Sequence, residues 1–111
     1  MATHHASPLE IVDLQTWADD LETEKSKAIV KGNGIELARL VIDAGANMHQ
    51  GGFCSVAGEV VIHCLSGEIL VSTPEGEQTL QAGQLVFLDR ERPHALSGVQ
   101  KSVVLLTIDL C

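Results

Sequence analysis

Short runs of apolar residues alternate with clusters of turn residues along the second half of the chain. Five such runs occur, at residues 60–65, 68–72, 78–80, 85–88 and 103–108. Glycine, proline, serine and charged residues separate them. Strands of about five residues at this spacing are typical of an all-β sandwich or barrel. This matters for function because the interior of a small closed barrel can hold one ligand or metal ion.

The first half of the chain predicts a further pair of strands. Residues 27–31 and 35–42 are both rich in apolar side chains. The segment Gly32-Asn33-Gly34 between them predicts a tight hairpin turn. On residues 35–42 the alternation is imperfect, with Glu36 and Arg39 on opposite faces.

Three other segments are less regular. Residues 9–14 predict a short strand, and residues 16–22 predict a helical turn that begins at Thr16. Residues 51–58 are rich in glycine and long for a hairpin loop, so a lid over the barrel mouth and an ordinary loop both fit them.

Length and composition limit the organisation to one domain. The chain has 111 residues, and we expect a flexible tail at residues 1–8 followed by a single barrel domain at residues 9–111. Trp17, Phe53 and Phe87 are the only aromatic residues, although 45% of the chain is apolar. The core must therefore consist of Val, Ile, Leu and Ala, which suits β-structure because branched side chains pack well on a pleated sheet.

Charge and cysteine usage exclude several classes of partner. The formal net charge is −8, so a nucleic acid or an anionic membrane surface is not expected as a partner. The first eight residues lack the basic and apolar parts of a signal peptide, and no run approaches the length of a membrane span. Cys54, Cys64 and Cys111 lack CxxC spacing and predict free thiols, with Cys64 a small buried residue. We therefore expect a cytoplasmic protein.

The segment at residues 83–94 carries a recognisable order of residues. Gly83 is followed by an apolar strand, a turn, and the pair Pro93-His94. This order resembles the second sequence block of the small single-domain cupins, which belong to the RmlC-like cupin superfamily and include the cupin-2 type of conserved barrel. In that pattern Asp89 and Glu91 take the places of the corner proline and glycine, and Gly98 takes the place of an asparagine.

Residues 45–67 resemble the first cupin block. Gly45, His49 and Gly67 match the pattern, whereas Gly51 stands where the second histidine would fall and Val60 where the glutamate would fall. The resemblance covers about residues 27–110 and implies a cupin-type β-barrel, that is, a double-stranded β-helix or jelly roll, with a short N-terminal arm. It also implies a homodimer, in which residues 9–14 would cover a sheet edge of the partner.

The resemblance directs attention to His49 and His94 as candidate metal ligands, because both would start strands at the barrel mouth. Sites for Fe, Mn, Ni or Zn take three or four imidazole and carboxylate ligands, so two histidines alone bind such a divalent transition metal weakly. His63, Glu59 and Cys54 are the further candidates. Strict alternation places His63 on the opposite face from Val60, so it would need a β-bulge to become a ligand, and Glu59 has the same difficulty.

Three functions are compatible with the sequence. In a metal-dependent small-molecule enzyme, a metal on His49 and His94 would act as Lewis acid or oxygen activator. In a metal-free binding barrel, the same histidines would orient a small ligand among Val, Ile and Leu side chains. In an assembly role, the dimer itself would be the product. Arg90 and Arg92 would either reach a carboxylate substrate or pair with Asp89, Glu91 or the acidic N-terminal arm.

Overall fold

The computed structural model describes residues 5–14, 26–47 and 58–109. These ranges contain eight β-strands and no helix. The strands are β1 Ser26–Lys31, β2 Ile35–Ile42, β3 Val60–Ser66, β4 Glu68–Thr73, β5 Gly76–Gln81, β6 Leu85–Leu88, β7 Ala95–Gly98 and β8 Ser102–Asp109. Within the same ranges, no helix is long and apolar enough to cross a membrane.

The strands form two antiparallel sheets, and the predicted all-β jelly-roll class is confirmed. A five-stranded sheet has the order β1-β2-β8-β3-β6, and a three-stranded sheet has the order β5-β4-β7. The core lies between the sheets and consists of aliphatic side chains, as the scarcity of aromatic residues predicts. Cys64 belongs to this core, fully buried, which confirms its predicted role as a small buried residue.

Most of the predicted strands are present. All five apolar runs of the second half form strands, and residues 27–31 and 35–42 form the predicted hairpin. The Gly32 amide donates a hydrogen bond to the Ile35 carbonyl at 2.8 Å, which closes the turn between β1 and β2. The bounds of β7 were not predicted, because its four residues, Ala-Leu-Ser-Gly, are too few to show a period, although a strand was expected to begin at His94.

The prediction of a strand at residues 9–14 is wrong. None of these residues pairs with a strand, and Leu9 and Ile11 are almost fully exposed. The Glu10 amide instead donates to the Ser7 carbonyl at 3.0 Å, which makes a local turn. Residues 16–22 and 51–57, for which a helical turn and a lid or loop are predicted, lie outside the described residues.

One end of the space between the sheets is closed. Ser102, at the start of β8, is fully buried, and its Oγ accepts a hydrogen bond from the Glu68 amide of β4 at 2.9 Å. The same hydroxyl donates to the Gln100 carbonyl at 2.7 Å. After β2 the chain crosses to the other sheet at this end, where Ala44 bridges to Gly98 of β7. These bonds tie the two sheets together.

The opposite end is more open. Ile42 lies at the closed end and is fully buried, whereas Leu106 and Ile108, further along the inner face, are only partly buried. The register of β2 with β8 places Ile42 opposite Ser102 and Ile108 opposite Glu36, so the two ends are distinct. Among the described residues, the end marked by Ile108 is therefore the less enclosed of the two.

Candidate functional site

His94 lies at the open end, immediately before β7. Only 6% of its surface is exposed. Ala95 pairs with Ser72 of β4, so the preceding residue, His94, lies level with Thr73 at the end of that strand. Its neighbour in the inward direction, Leu96, is part of the core. His94 was expected at the start of a strand that follows a turn, and it lies immediately before β7.

The imidazole of His94 is oriented by the chain that precedes it. Its Nδ1 atom lies 3.2 Å from the carbonyl oxygen of Arg92. A carbonyl oxygen can only accept, so Nδ1 must carry the proton in this contact. In the neutral ring the lone pair is then on Nε2, which is the nitrogen able to accept a hydrogen bond or to bind a metal.

The turn before His94 contains a residue with a left-handed backbone conformation. Glu91 has a φ of 59°, which is the left-handed region that favours glycine. This is the position at which the resemblance places the corner glycine. Glu91 therefore adopts a backbone conformation that glycine takes without steric conflict, at a strain cost of about 1 kcal/mol.

Arg92 links the turn at residues 89–93 to the turn between β4 and β5 through ion pairs with Asp89 and Glu75. Its Nε donates to Asp89 Oδ1 at 2.5 Å, its Nη2 donates to Asp89 Oδ2 at 3.2 Å, and its Nη1 pairs with Glu75. The hydrogen bond from Arg92 lowers the pKa of Asp89, and Asp89 in turn raises the pKa of Arg92. The pairing of Arg92 with Asp89 was one of the expected alternatives. Glu75 was not foreseen, because it lies 17 residues away in sequence.

A cavity of about 300 Å³ opens between the edge strands β5 and β6. Val71, Val86 and Leu88 form its apolar walls. Polar side chains line the rest; they are Thr73, Glu75, Glu77, Gln78 and Arg92. Because Thr73 and Arg92 also flank His94, the cavity lies at the same end of the three-stranded sheet as the histidine.

The other predicted site residues do not join His94. His63 pairs with Leu105 on one side and Leu85 on the other, and the alternation of β3 turns it to the outer face of the five-stranded sheet. Strand β3 does contain an irregularity, but it falls between Cys64 and Ser66, after His63, so the register of His63 is unchanged. Glu59 is exposed, and because it lies four residues before His63, the same alternation places it on the same face as His63. His49 and Cys54 lie outside the described residues.

The donor set in the described part of the chain does not fit a metal by itself. No group of three or more His, Cys, Asp or Glu side chains in residues 5–14, 26–47 and 58–109 could hold a metal ion. Val60, which stands where the resemblance places a glutamate ligand, is buried in the apolar core. An aliphatic side chain supplies no donor atom, so the described residues offer His94 alone.

The fold has clear counterparts among solved structures. A cupin superfamily protein from Desulfitobacterium hafniense superposes with a TM-score of 0.71 at 14% identity, covering 78% of this chain and 76% of that one. An RmlC-like cupin from Shewanella frigidimarina gives a TM-score of 0.69 at 16% identity, covering 78% and 75%. The protein TT1209 from Thermus thermophilus gives 0.75 at 21% identity, covering 91% and 97%.

Comparison at the level of sequence adds nothing to this picture. No protein-family model matches the chain, and no curated protein matches its sequence. Likeness at these identities concerns the fold and not the activity. With its two antiparallel sheets, its glycine-marked turns and its cupin counterparts, the chain has the cupin fold.

Proposed function

We propose that this chain is a small-molecule-binding cupin barrel in which His94 supplies the central polar contact. The observation that carries the proposal is a buried imidazole at the open end of an apolar interior, with Nδ1 directed at the Arg92 carbonyl. Binding sites for small molecules are concave and mostly apolar, with a few polar groups that set orientation. The cytoplasmic location expected from the cysteine pattern belongs to this proposal.

The cavity at the same end of the three-stranded sheet, whose lining does not include His94, limits the chemistry of a ligand that binds there. The cavity of about 300 Å³ is at the lower end of the range for small-molecule pockets. Its rim carries the carboxylates of Glu75 and Glu77, while Arg92 is already paired with Asp89 and Glu75. A carboxylate ligand would meet like charge at this rim. A small amphipathic alcohol or amine fits the cavity better, since its O–H or N–H can donate to a lining carboxylate, and we propose that it reaches His94 from there.

A metal centre that includes His49 and His94 is the second candidate. One observation favours it: metal-binding histidines almost always donate their other ring N–H to a carboxylate, a backbone carbonyl or water, and His94 directs Nδ1 at a carbonyl. A bound Fe, Mn, Ni or Zn ion would supply Lewis-acid or oxygen-activating chemistry. The described residues hold only His94 of the two histidines that such a site would need.

Two measurements on the same variants test both candidates. Ligand-observed NMR against a library of small alcohols and amines should show binders to the wild type that are lost in His94→Ala. His63→Ala is the matched control, because it removes the same side chain from the outer face and should leave binding unchanged. Elemental analysis of the same preparations, with His49→Ala added, tests the metal.

The outcomes separate the candidates. About one equivalent of metal, lost in both His49→Ala and His94→Ala, would favour the second candidate over the first. Binders that survive His94→Ala would contradict the proposed role of this residue. The absence of both binders and stoichiometric metal would contradict both candidates.

A further inference from the structure

A cavity of about 480 Å³ lies on the outer face of the five-stranded sheet. The described residues that line it are Leu14, Arg39, Leu65, Ser66 and Val103. Strand alternation turns Arg39 of β2 and Val103 of β8 away from the core, because their neighbours Leu40 and Val104 are core residues. We call this space the outer cavity. It shares no described lining residue with the cavity of about 300 Å³ between β5 and β6, so the two are separate.

Arg39 is a buried charge in the wall of the outer cavity. Only 9% of its surface is exposed. Within residues 5–14, 26–47 and 58–109, the structure gives its guanidinium one hydrogen bond, from Nε to the Leu14 carbonyl at 3.1 Å, and no ion pair. Buried arginines are almost always paired with an anion, because removing a charge from water is costly. An anion in the outer cavity would offset that cost.

The donor groups that Arg39 can offer a ligand are on its two terminal nitrogens. Nε uses its single N–H on the Leu14 carbonyl, so Nη1 and Nη2 keep four N–H groups. In the described part of the chain, no fully buried side-chain nitrogen or oxygen lacks a hydrogen-bond partner, so Nη1 and Nη2 retain contact with open space. Two such nitrogens side by side match the two oxygens of a carboxylate.

The rest of the described lining is mainly apolar. Leu14, Leu65 and Val103 supply aliphatic surface, and the exposed hydroxyl of Ser66 is a further hydrogen-bond donor. No carboxylate is among the described residues that line the outer cavity. One arginine beside aliphatic walls is the arrangement expected of a site for a small anion with an apolar part.

The wall formed by Leu14 is held against the sheet at two points of the N-terminal arm. The Ala6 amide donates a hydrogen bond to the Ile29 carbonyl of β1 at 2.7 Å. The Leu14 carbonyl accepts the hydrogen bond from Arg39. The outer cavity is therefore formed before any ligand binds, which reduces the ordering cost of binding.

We propose that the outer cavity binds a small aliphatic carboxylate, whose two oxygens accept hydrogen bonds from Nη1 and Nη2 of Arg39. The carbon chain of the ligand lies against Leu65 and Val103. A volume of about 480 Å³ falls within the range of about 300–1,000 Å³ that is typical of small-molecule sites. This inference does not rest on the function proposed for His94, because the outer cavity is on the side of the five-stranded sheet that faces away from the core.

The balance of charge favours a ligand with a single negative charge. The described lining of the outer cavity has one arginine, whereas the chain as a whole has a net charge of −8. A carboxylate brings one charge, which one guanidinium neutralises. The dianionic form of inorganic phosphate brings two, and the negative field of the chain repels the second. Phosphate also has no carbon chain to bury against the aliphatic walls.

A methyl-detected NMR titration of the wild-type protein tests the proposal. Sodium hexanoate should shift the methyl signals of Leu65 and Val103 with a Kd of about 1 mM. The methyl signals of Leu70 should not move, because the alternation of β4 places this residue on the outer face of the three-stranded sheet. Hexan-1-ol has the same carbon chain without the charge, and inorganic phosphate has charge without the chain. Each should bind at least about 10-fold more weakly than hexanoate.

Two substitutions in the lining test the same site. Arg39→Met keeps a long unbranched side chain but removes the guanidinium, so it should weaken hexanoate binding at least about 10-fold. Val103→Phe fills the outer cavity and leaves Arg39 in place, so it should weaken binding to a similar degree, and it keeps the proposal testable if Arg39→Met does not fold. Arg90→Met is the matched control, because Arg90 is exposed and outside the lining, and it should bind hexanoate like the wild type.

His94→Ala separates this inference from the proposed function. Hexanoate should bind this variant as it binds the wild type, even where the ligands sought for His94 are lost. Equal loss of hexanoate binding in His94→Ala would place the carboxylate in the interior and overturn the proposal.

Four other outcomes would overturn it as well. They are the absence of hexanoate shifts at Leu65 and Val103, binding of hexan-1-ol or phosphate as tight as that of hexanoate, unchanged binding in Arg39→Met, and an equal loss of binding in Arg90→Met. The last would mean that hexanoate responds to the net charge of the protein and not to one buried arginine.

Discussion

The Nδ1 atom of His94 lies 3.2 Å from the backbone carbonyl oxygen of Arg92, two residues earlier in the chain. The contact couples the direction of the imidazole to the shape of the turn at residues 89–93. The conformation of that turn therefore decides which nitrogen of the neutral His94 ring carries the proton.

The first prediction concerns the tautomer of His94. Because Nδ1 donates to a carbonyl, the neutral ring should be the Nδ1–H form, whereas an imidazole in water favours the Nε2–H form. Long-range proton–nitrogen correlation spectra at about pH 8, assigned with His94→Gln, report the tautomer directly. His63, on the outer face, is the internal comparison. An Nε2–H form for His94 would mean that the hydrogen bond to Arg92 does not exist in solution.

The second prediction concerns the strained corner residue. Glu91 has a φ of 59° and an exposed side chain, so its replacement removes strain without removing a buried contact. Glu91→Gly should raise the free energy of unfolding by about 0.5–1 kcal/mol, even though glycine adds freedom to the unfolded chain. Urea denaturation measures the change. Glu91→Ala is the control, because alanine keeps the left-handed strain, and an equal gain in that variant would refute the explanation.

The third prediction compares two glycines with nearly the same backbone angle. Gly67 has a φ of 83° and Gly83 a φ of 88°. A Cβ atom on Gly67 would lie 2.4 Å from Ser102 Oγ and 2.5 Å from the Lys101 carbonyl, whereas a Cβ on Gly83 meets nothing within 4 Å. Gly83→Ala should therefore lower the free energy of unfolding only by the added backbone strain, about 1 kcal/mol. Gly67→Ala should lower it by at least about 2 kcal/mol more. Equal losses in thermal unfolding would show that the close contacts of Gly67 carry no cost.

The fourth prediction concerns acid. The hydrogen bond from Arg92 lowers the pKa of Asp89 in the folded state. A lowered carboxyl pKa gives stability that is present above the unfolded value of about 3.9 and is lost as the pH falls through the folded value. Asp89→Asn should therefore flatten the pH dependence of unfolding below about pH 4. Glu59→Gln, at an exposed carboxylate outside this cluster, is the control. If the free energy of unfolding falls with decreasing pH to the same extent in Asp89→Asn and the wild type, the ion pair of Asp89 with Arg92 does not stabilise the fold.

The fifth prediction concerns the thiol of Cys64. Burial raises the pKa of this thiol, and its Sγ donates to the Ser66 carbonyl at 3.4 Å. The thiolate is the reactive form, so Cys64 should resist a disulfide reagent in the folded protein and react once denaturant is added. A Cys54→Ser/Cys111→Ser background leaves Cys64 as the one thiol. Rapid reaction without denaturant would mean that β3 opens readily.

The strands could be predicted because their apolar residues alternate with polar ones and because turn residues separate one run from the next. In β3, residues 60, 62 and 64 are buried and residues 61, 63 and 65 are partly exposed, as the alternation indicates. The strand expected at residues 9–14 has apolar residues too, but a strand also needs a neighbour to accept its hydrogen bonds, and sequence alone does not show that neighbour. Strand β7 shows the opposite: its four residues have no strand pattern of their own, but β4 provides the hydrogen-bonding neighbour that makes them a strand.

The candidate site was predictable only in part, for a related reason. The sequence pointed to His94 because a glycine, a strand and a turn precede it at a fixed spacing. Its partners come from distant segments: Glu75 holds Arg92 across the mouth of the cavity, and Val71 and Leu88 belong to different sheets. Pairings of this kind depend on sheet order, which local patterns do not encode. The outward position of His63 was predictable, because it depends on parity alone.

The hydrogen bonds of Ser102 at the closed end make that end of the barrel harder to unfold locally than the opposite end. The amide of Glu68 donates to a hydroxyl that is itself fully buried, so its proton should exchange with solvent only when the whole molecule unfolds. Strand β6, four residues long and at the edge of its sheet, is attached at the mouth through the exposed ion pairs of Asp89 and Arg90 rather than through a buried hydrogen bond, and should exchange through local fluctuation. A ligand could then enter and leave at the rate of that local motion, while the far end keeps the two sheets in register.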